Sequence, residues 1–239
     1  MRTKVLCEGT TDVLLLQFVL QYRYEWEYDG FLENTKSNRL VRRNVKKNGN
    51  QIEISSCGGI NNIPKEMQKL KDLMENATKK SEVFDRVIIM IDHDTVESNR
   101  DFLEQLSDET ETAFEENQIN TWSSWEIINS VLGKLEVELY IKSIPEQETG
   151  AIEFVMLDAL DTDDTEQQII NKSREFIEEI AAGQTRYLQK KSRQSKAVFN
   201  TYFAIRTPEE KYDERAKILR AYEWKENEVL KRNFNFLDE

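Results

Sequence analysis

The pattern of apolar residues along the chain predicts strands that alternate with helices. Residues 85–92 contain an unbroken apolar run rich in β-branched side chains, which is typical of a strand buried on both faces. Shorter apolar runs predict strands at 4–9 and 51–57, followed by helices at 13–20 and 63–77. Because strands alternate with helices, we expect an α/β fold with a mostly parallel central sheet flanked by helices.

The elements after the central run are less uniform. Residues 97–116 predict an acidic amphipathic helix, and 121–128 fit either an irregular or a helical segment. Residues 135–141 alternate apolar and polar side chains, as in a half-buried strand at the edge of a sheet. Farther on, the pattern predicts helices at 166–182 and 185–204.

This order of elements predicts the domain organisation. We expect an α/β core over residues 1–145 and a helical C-terminal elaboration over residues 146–239. No Pro- or Ser-rich linker separates the two parts, so we expect them to pack together as one compact unit.

Composition narrows the class of protein. The 239 residues are 38% hydrophobic and 33% charged, with a formal net charge of −12, which argues against a protein that coats nucleic acid by charge alone. No stretch approaches the ~20 apolar residues of a membrane span, and the first residues lead into a strand without a signal-peptide pattern. Cys7 and Cys57 predict no structural disulfide. We expect a cytoplasmic protein with no membrane partner.

Two aspartates end the central predicted strand. Asp92 and Asp94 are two residues apart, so on a strand they project from one face at its carboxyl end, where open α/β sheets bind ligands. Such a pair repels unless a cation lies between them, and Mg²⁺ prefers oxygen ligands. An Asp-rich turn that caps the next helix explains the residues equally well. His93 is expected to point away from both and to be structural.

Three further acids lie at element ends. Glu8 follows the first predicted strand, and an acid there needs a partner. Parallel neighbours would bring Glu8 to the sheet edge that carries Asp92 and Asp94, giving a three-carboxylate site. Asp12 either joins this pocket or caps the helix that it begins. Glu153, in the first turn of a later helix, has the same two interpretations.

Two basic segments stand out in this acidic chain, at 36–47 and 186–196. They either contact the phosphates of a substrate or form solvated surface that pairs with acidic helices. Lys65 begins a predicted helix beside a strand end and is a further phosphate contact. The candidate substrate-binding residues are Lys36, Arg39, Arg42, Arg43, Lys65, Lys190 and Lys191.

Several motifs resemble one family. Glu8-Gly9 after a hydrophobic strand, with Asp92-His93-Asp94 after a later one, resembles the TOPRIM domain of topoisomerases, primases and related nucleases. Glu8 to Asp12 is similar to the E-x-x-x-D variant of the overcoming-lysogenization-defect (OLD) nucleases. Three further segments resemble the small stand-alone TOPRIM proteins: Ser56-Cys57-Gly58-Gly59, Thr149 to Glu153, and Ser195-Lys196-Ala197.

The resemblance implies a fold and an activity. It implies a Rossmann-like TOPRIM core over residues 3–145 and a Mg²⁺- or Mn²⁺-dependent nuclease acting on DNA or RNA. Glu8 would act in acid–base chemistry or bind a metal, and Lys196 would join in catalysis. Asp12, Asp92, Asp94 and Glu153 would hold the metal. The chain shows no ATPase domain like that of the OLD nucleases, so a nuclease would act alone, recruit a protein partner or be inactive.

Two other functions stay open. Ile91 to Thr95 looks like the D-x-D-x-T motif of haloacid-dehalogenase-type phosphatases, in which Asp92 would be phosphorylated. That family needs a second acidic strand end, whereas Asp158 to Asp164 follows a helical pattern. A TOPRIM-like scaffold that binds nucleic acid or protein without catalysis is the other alternative, because fold alone does not fix function.

Overall fold

The computed structural model describes residues 1–30, 41–183, 186–209, 218–219 and 224–238. The chain forms two compact units. The first comprises residues 1–21, 25–91 and 96–143, and the second comprises residues 22–24, 92–95 and 144–239.

One sheet of seven strands organises the first unit. The strands are β1 (Arg2–Cys7), β2 (Glu27–Tyr28), β3 (Arg42–Lys47), β4 (Asn50–Ser56), β5 (Arg86–Asp92), β6 (Trp122–Asn129) and β7 (Gly133–Ile144). Their order across the sheet is β2-β3-β4-β1-β5-β7-β6. Strand β1 pairs in parallel with both β4 and β5, whereas β2–β3, β3–β4 and β6–β7 are antiparallel. The predicted α/β class, with a parallel centre to the sheet, is confirmed.

Three helices belong mainly to this unit: α1 (Thr10–Tyr22), α2 (Ile63–Glu75) and α3 (Val96–Thr110). Helices α2 and α3 cover the sheet with Met67, Met74 and Leu106, which are fully buried. Strand β5 contributes Ile89 and Ile91 to the same core. Each such side chain stabilises the fold by about 1.5–3 kcal/mol, which explains why the central run is apolar at every position.

The turn between β3 and β4 follows from its two central residues. Asn48 and Gly49 have φ angles of +50° and +79°, which suit the tight turn of a two-residue hairpin. The hairpin pairs Lys47 with Asn50 and continues to Arg42 with Ser55. The Asn-Gly turn therefore sets the register of an antiparallel pair beside the parallel strands.

Two interpretations of the sequence are wrong. Residues 122–129 form strand β6 rather than an irregular or helical segment: Trp125, Ile127 and Asn129 are buried and alternate with exposed neighbours. Strand β7 does not lie at the edge, because β6 pairs with its outer side and β5 neighbours its inner side. The outer half of β7 alternates as an edge strand does, but its last residues, from Leu139 to Ile144, are all buried.

Helices fill the second unit. They are α4 (Ile152–Leu160), α5 (Asp164–Gly183), α6 (Lys191–Arg206) and α7 (Glu228–Phe234). Helix α6 packs against α4 and α5, and α7 packs against α4. The helix predicted from residue 185 begins later, at Lys191. Across the ranges the structure describes, no helix has the length and apolar character needed to cross a membrane.

Candidate functional site

The segment Asp92-His93-Asp94 is held through its central residue. The backbone N–H of His93 donates to the carbonyl of Ile144 at 2.9 Å, and the N–H of Gly150 donates to the carbonyl of His93 at 2.7 Å. The His93 Nδ1 atom lies 3.0 Å from the carbonyl oxygen of Pro145. The backbone N–H and the backbone carbonyl of His93 are therefore both hydrogen-bonded. These bonds fix the positions of the two aspartates on either side of His93.

Asp92 forms an ion pair with Lys196. The Lys196 Nζ atom lies 2.6 Å from Asp92 Oδ2, although the two residues are 104 positions apart in the chain. The Asp92 residue is only 5% exposed, whereas 36% of the Lys196 side chain is exposed. A carboxylate so far removed from water needs a charged partner, and the ammonium group provides one. The structure thus brings together two residues that the TOPRIM resemblance assigned to one site.

Asp94 caps the first turn of α6. Its Oδ1 atom accepts a hydrogen bond from the backbone N–H of Ser192 at 3.0 Å, and its Oδ2 atom lies 3.1 Å from Lys190 Nζ. The helix has no cap from the side chain of its own N-cap residue, Lys190, so Asp94 supplies the acceptor. Burial alone would raise the pKa of Asp94, but the bonds from Ser192 and Lys190 together hold this pKa below its ordinary value.

A close contact seats α6 beside this segment. A Cβ atom added at Gly150 would lie 2.9 Å from the Ser195 hydroxyl oxygen, which is closer than real Cβ contacts. Only glycine permits this approach. Because Ser195 precedes Lys196 in α6, the Gly150 contact and the Asp94 cap both position the lysine that reaches Asp92.

Glu153 lies three residues after Gly150, in the first turn of α4. It is 2% exposed and belongs to the same unit as Asp92, Asp94 and Lys196. Its position in the first turn is also the one in which a helix dipole favours an acid. The geometry is therefore compatible with both interpretations of this residue.

Glu8 and Asp12 belong to the first unit, around the turn from β1 to α1. The buried Asp12 accepts a hydrogen bond on Oδ2 from the backbone N–H of Gly9 at 2.7 Å. In this bond the third residue of the helix reaches back to the N–H of the residue before it, as the acid of a capping box does. Glu8 is half-buried, and its carbonyl oxygen accepts from the N–H of Gly59 at 2.8 Å.

The basic candidates have different surroundings. Arg43 is largely buried, and its Nε atom donates to Gln17 Oε1 at 3.0 Å. Arg42 is half-buried at the start of β3, and Lys65 is exposed in the first turn of α2. Lys190 pairs with Asp94, and Lys191 donates to Gln194 Oε1 at 3.2 Å. Lys36 and Arg39 lie outside the described residues.

Sequence reasoning did not show how Ser192 and Gly150 position these acids. Ser192 contributes its backbone, and Gly150 its lack of a side chain, so neither leaves a chemical signature in the sequence. In the first unit, sequence reasoning also missed that Lys142 of β7 is completely buried.

The donor chemistry of this segment fits Mg²⁺. Asp92 and Asp94 offer hard carboxylate oxygens, and Mg²⁺ in proteins commonly keeps several waters while binding one or two carboxylates. No group of three or more acidic, histidine or cysteine side chains is placed to hold a metal within the described part of the chain. Asp92 and Asp94 would therefore have to hold the ion together with water and substrate oxygens.

Comparison with known proteins gives a family and a distant structural relative. The model of a family described as "Protein of unknown function (DUF3226)" matches residues 2–239. The structure is similar to the crystal structure of hypothetical protein PH0156 from Pyrococcus horikoshii OT3, at 15% identity and a TM-score of 0.46. The similarity covers 87% of this chain and 92% of that one. No curated protein sequence matches the chain.

Proposed function

The chain belongs to the DUF3226 family, whose function is unknown, and we propose that it is a Mg²⁺- or Mn²⁺-dependent nuclease of the TOPRIM type. It hydrolyses phosphodiester bonds in DNA or RNA. The observation that carries the proposal is the cluster of Asp92, Asp94 and Lys196, in which Lys196 pairs with Asp92 at the end of β5 and Asp94 follows two residues later. Ligands of open α/β sheets bind at the carboxyl ends of strands.

The cluster contains both kinds of charge that phosphodiester hydrolysis uses. Asp92 and Asp94 would hold the metal, which when bound polarises the phosphodiester and lowers the pKa of water. The ammonium group of Lys196 lies beside Asp92, where positive charge stabilises the negative charge that develops on phosphate oxygens in the transition state. Its 36% exposed side chain leaves it accessible to a substrate.

The reaction consumes one water molecule. The water oxygen bonds to phosphorus as the bond between phosphorus and a sugar oxygen breaks, and the leaving sugar oxygen takes up a proton. The products are a phosphomonoester and a free hydroxyl group. The TOPRIM resemblance assigns proton transfer to Glu8, and that assignment rests on the resemblance alone.

A non-catalytic scaffold is the second candidate, and one observation favours it. Lys196 and Lys190 already neutralise Asp92 and Asp94, so the cluster is balanced in charge without a metal. In that case the two ion pairs would only hold the start of α6 against the segment of Asp92 and Asp94. The phosphatase alternative gains no support, because Asp158 to Asp164 spans the end of α4 and the start of α5 rather than a strand end.

Cleavage assays separate the candidates. Supercoiled plasmid, single-stranded DNA and structured RNA are incubated with Mg²⁺ or Mn²⁺ and the wild-type protein, Asp92→Ala or Asp101→Ala. Asp101 is an exposed aspartate in α3 and serves as the matched control. A nuclease requires cleavage by the wild type and Asp101→Ala but not by Asp92→Ala. Absence of cleavage by the wild type, where calorimetry detects metal binding, supports the scaffold.

A further inference from the structure

A cavity of about 380 Å³ opens within the second unit. Its lining includes the apolar side chains of Phe154 and Leu157 from α4, Ile177 from α5 and Val198 from α6. Thr149 and Lys191 bring polar groups to it and are exposed. These four apolar side chains share the lining with seven polar residues, which also include Glu148, Arg174, Glu178, Gln194 and Ser195. A cavity of a few hundred Å³ that combines apolar walls with polar groups is the usual form of a small-molecule site.

One wall of the cavity carries a cation–π contact. The guanidinium carbon of Arg174 lies 5.3 Å from the ring centroid of Phe154, and Arg174 is held in place by an ion pair with Asp158. Nucleobases stack on aromatic rings and on guanidinium planes. The wall therefore favours a flat heterocyclic ligand over a flexible aliphatic one.

The cavity adjoins the segment that carries the two aspartates. Ser195 lines the cavity and touches Gly150, whose backbone N–H donates to the His93 carbonyl at 2.7 Å. With standard bond lengths, the Ser195 hydroxyl oxygen lies within roughly 8 Å of the His93 carbonyl oxygen. Nucleotides repeat every ~3.4 Å along a strand of B-DNA, so this separation corresponds to two or three nucleotides.

We propose that this cavity, the base pocket, binds a nucleobase of a single-stranded nucleic acid whose phosphodiester lies at Asp92 and Asp94. The inference rests on the proposed nuclease function. A base in a duplex is paired and stacked, so only a single strand or a frayed end presents one to a pocket. With a net charge of −12, the chain gains little binding energy from general attraction to phosphates. A base pocket would instead bind the nucleic acid through stacking on a base.

Calorimetry with small ligands tests the base pocket without requiring turnover. The ligands are the four ribonucleoside 5′-monophosphates, with ribose 5-phosphate as the ligand that lacks a base. Thr149→Trp places a large side chain at the pocket, and Gln147→Trp makes the same change at an exposed position outside the lining. Circular dichroism checks that each variant is folded.

We expect the wild type to bind at least one of the monophosphates and not ribose 5-phosphate. Thr149→Trp should weaken that binding about tenfold or more, as loss of base stacking does, whereas Gln147→Trp should retain it. No binding to the wild type, equal binding of ribose 5-phosphate, or unchanged binding by Thr149→Trp would each overturn the base pocket.

Assays of the same variants test the base pocket separately from the nuclease activity. Cleavage by the wild type without nucleotide binding overturns the base pocket and retains the nuclease. Nucleotide binding that Thr149→Trp abolishes, in a protein that cleaves none of the three substrates, overturns the nuclease and supports the base pocket. If both hold, the wild type should cleave single-stranded substrates faster than duplex ones, and Thr149→Trp should reduce that preference.

Discussion

The Asp94 carboxylate accepts a hydrogen bond at 3.0 Å from the backbone N–H of Ser192, 98 residues farther along the chain. An acid that follows the central strand therefore caps a helix of the C-terminal region. This one bond sets where α6 begins, and Lys196 lies in the second turn of that helix. The Asp94 cap and the Asp92–Lys196 ion pair consequently both depend on where α6 is placed.

Loss of the Asp94 cap should lower stability in a pH-dependent way. Asp94→Ala removes the acceptor for Ser192 and should cost about 1 kcal/mol in the free energy of unfolding at neutral pH. The pKa of Asp94 is lower in the folded protein than its ordinary value of 3.8, so its stabilisation is present above that value. It disappears as the pH falls through the folded pKa. Urea denaturation of both proteins across this range measures the difference.

A matched substitution tests whether position matters. Asp108→Ala removes an exposed aspartate of α3 and should change the free energy of unfolding only slightly at any pH. A difference between the wild type and Asp94→Ala that stayed constant down to strongly acid pH would contradict the proposed linkage.

The Asp92–Lys196 ion pair should show energetic coupling. Lys196→Met leaves a buried carboxylate without this partner and should cost about 1–3 kcal/mol, less than a fully buried pair because the lysine is partly exposed. The double variant Asp92→Asn, Lys196→Met removes both charges and should be less destabilised than Lys196→Met alone. A double-mutant cycle by chemical denaturation gives the coupling. The exposed Lys172–Glu175 pair is the control, with an expected coupling below about 1 kcal/mol.

The contact between Gly150 and Ser195 predicts a steric effect. Gly150→Ala places a Cβ atom 2.9 Å from the Ser195 hydroxyl oxygen and should destabilise the protein by about 1–3 kcal/mol. Adding Ser195→Ala should restore part of the loss, because the clashing oxygen is removed. Gly183→Ala, where no atom lies within 4 Å of the added Cβ, is the control and should not destabilise. Thermal denaturation of the three variants beside the wild type measures these losses, and equal losses in Gly150→Ala and Gly183→Ala would refute the contact.

The two cysteines should be inert in the folded protein. Burial raises the pKa of Cys57 to about 12 and that of Cys7 well above its ordinary value, and both thiols are free. Since the thiolate is the reactive form, native protein at mildly alkaline pH should not react with iodoacetamide on a timescale at which denatured protein reacts completely. Mass spectrometry counts the modified sites. Rapid labelling of either cysteine under native conditions would contradict this burial.

Local patterns in the sequence were sufficient for several parts of this fold. The apolar run of β5 predicts a buried strand, Asn48-Gly49 predicts a hairpin turn, and Pro64 favours the start of α2, where it lies in the first turn. Each depends on neighbours in the chain: β-branched side chains favour extended backbone, Asn-Gly tolerates positive φ, and proline at a helix start needs no hydrogen-bond donor. The positions of Asp92 and Asp94 at the end of β5 follow from the same local information.

Tertiary structure decided the rest. Strand β7 became internal because β6 pairs with its outer side, which local alternation does not specify. The partner of Asp92 was suggested only by resemblance to a family, because an ion pair across 104 residues leaves no periodic signal. Ser192 acts through its backbone and Gly150 through the room that it leaves for Ser195. The sequence by itself therefore determined which residues form the central strands and where the acids lie along the chain. Packing determined which lysines and which helix end contact those acids, because these contacts depend on distances that only the folded chain defines.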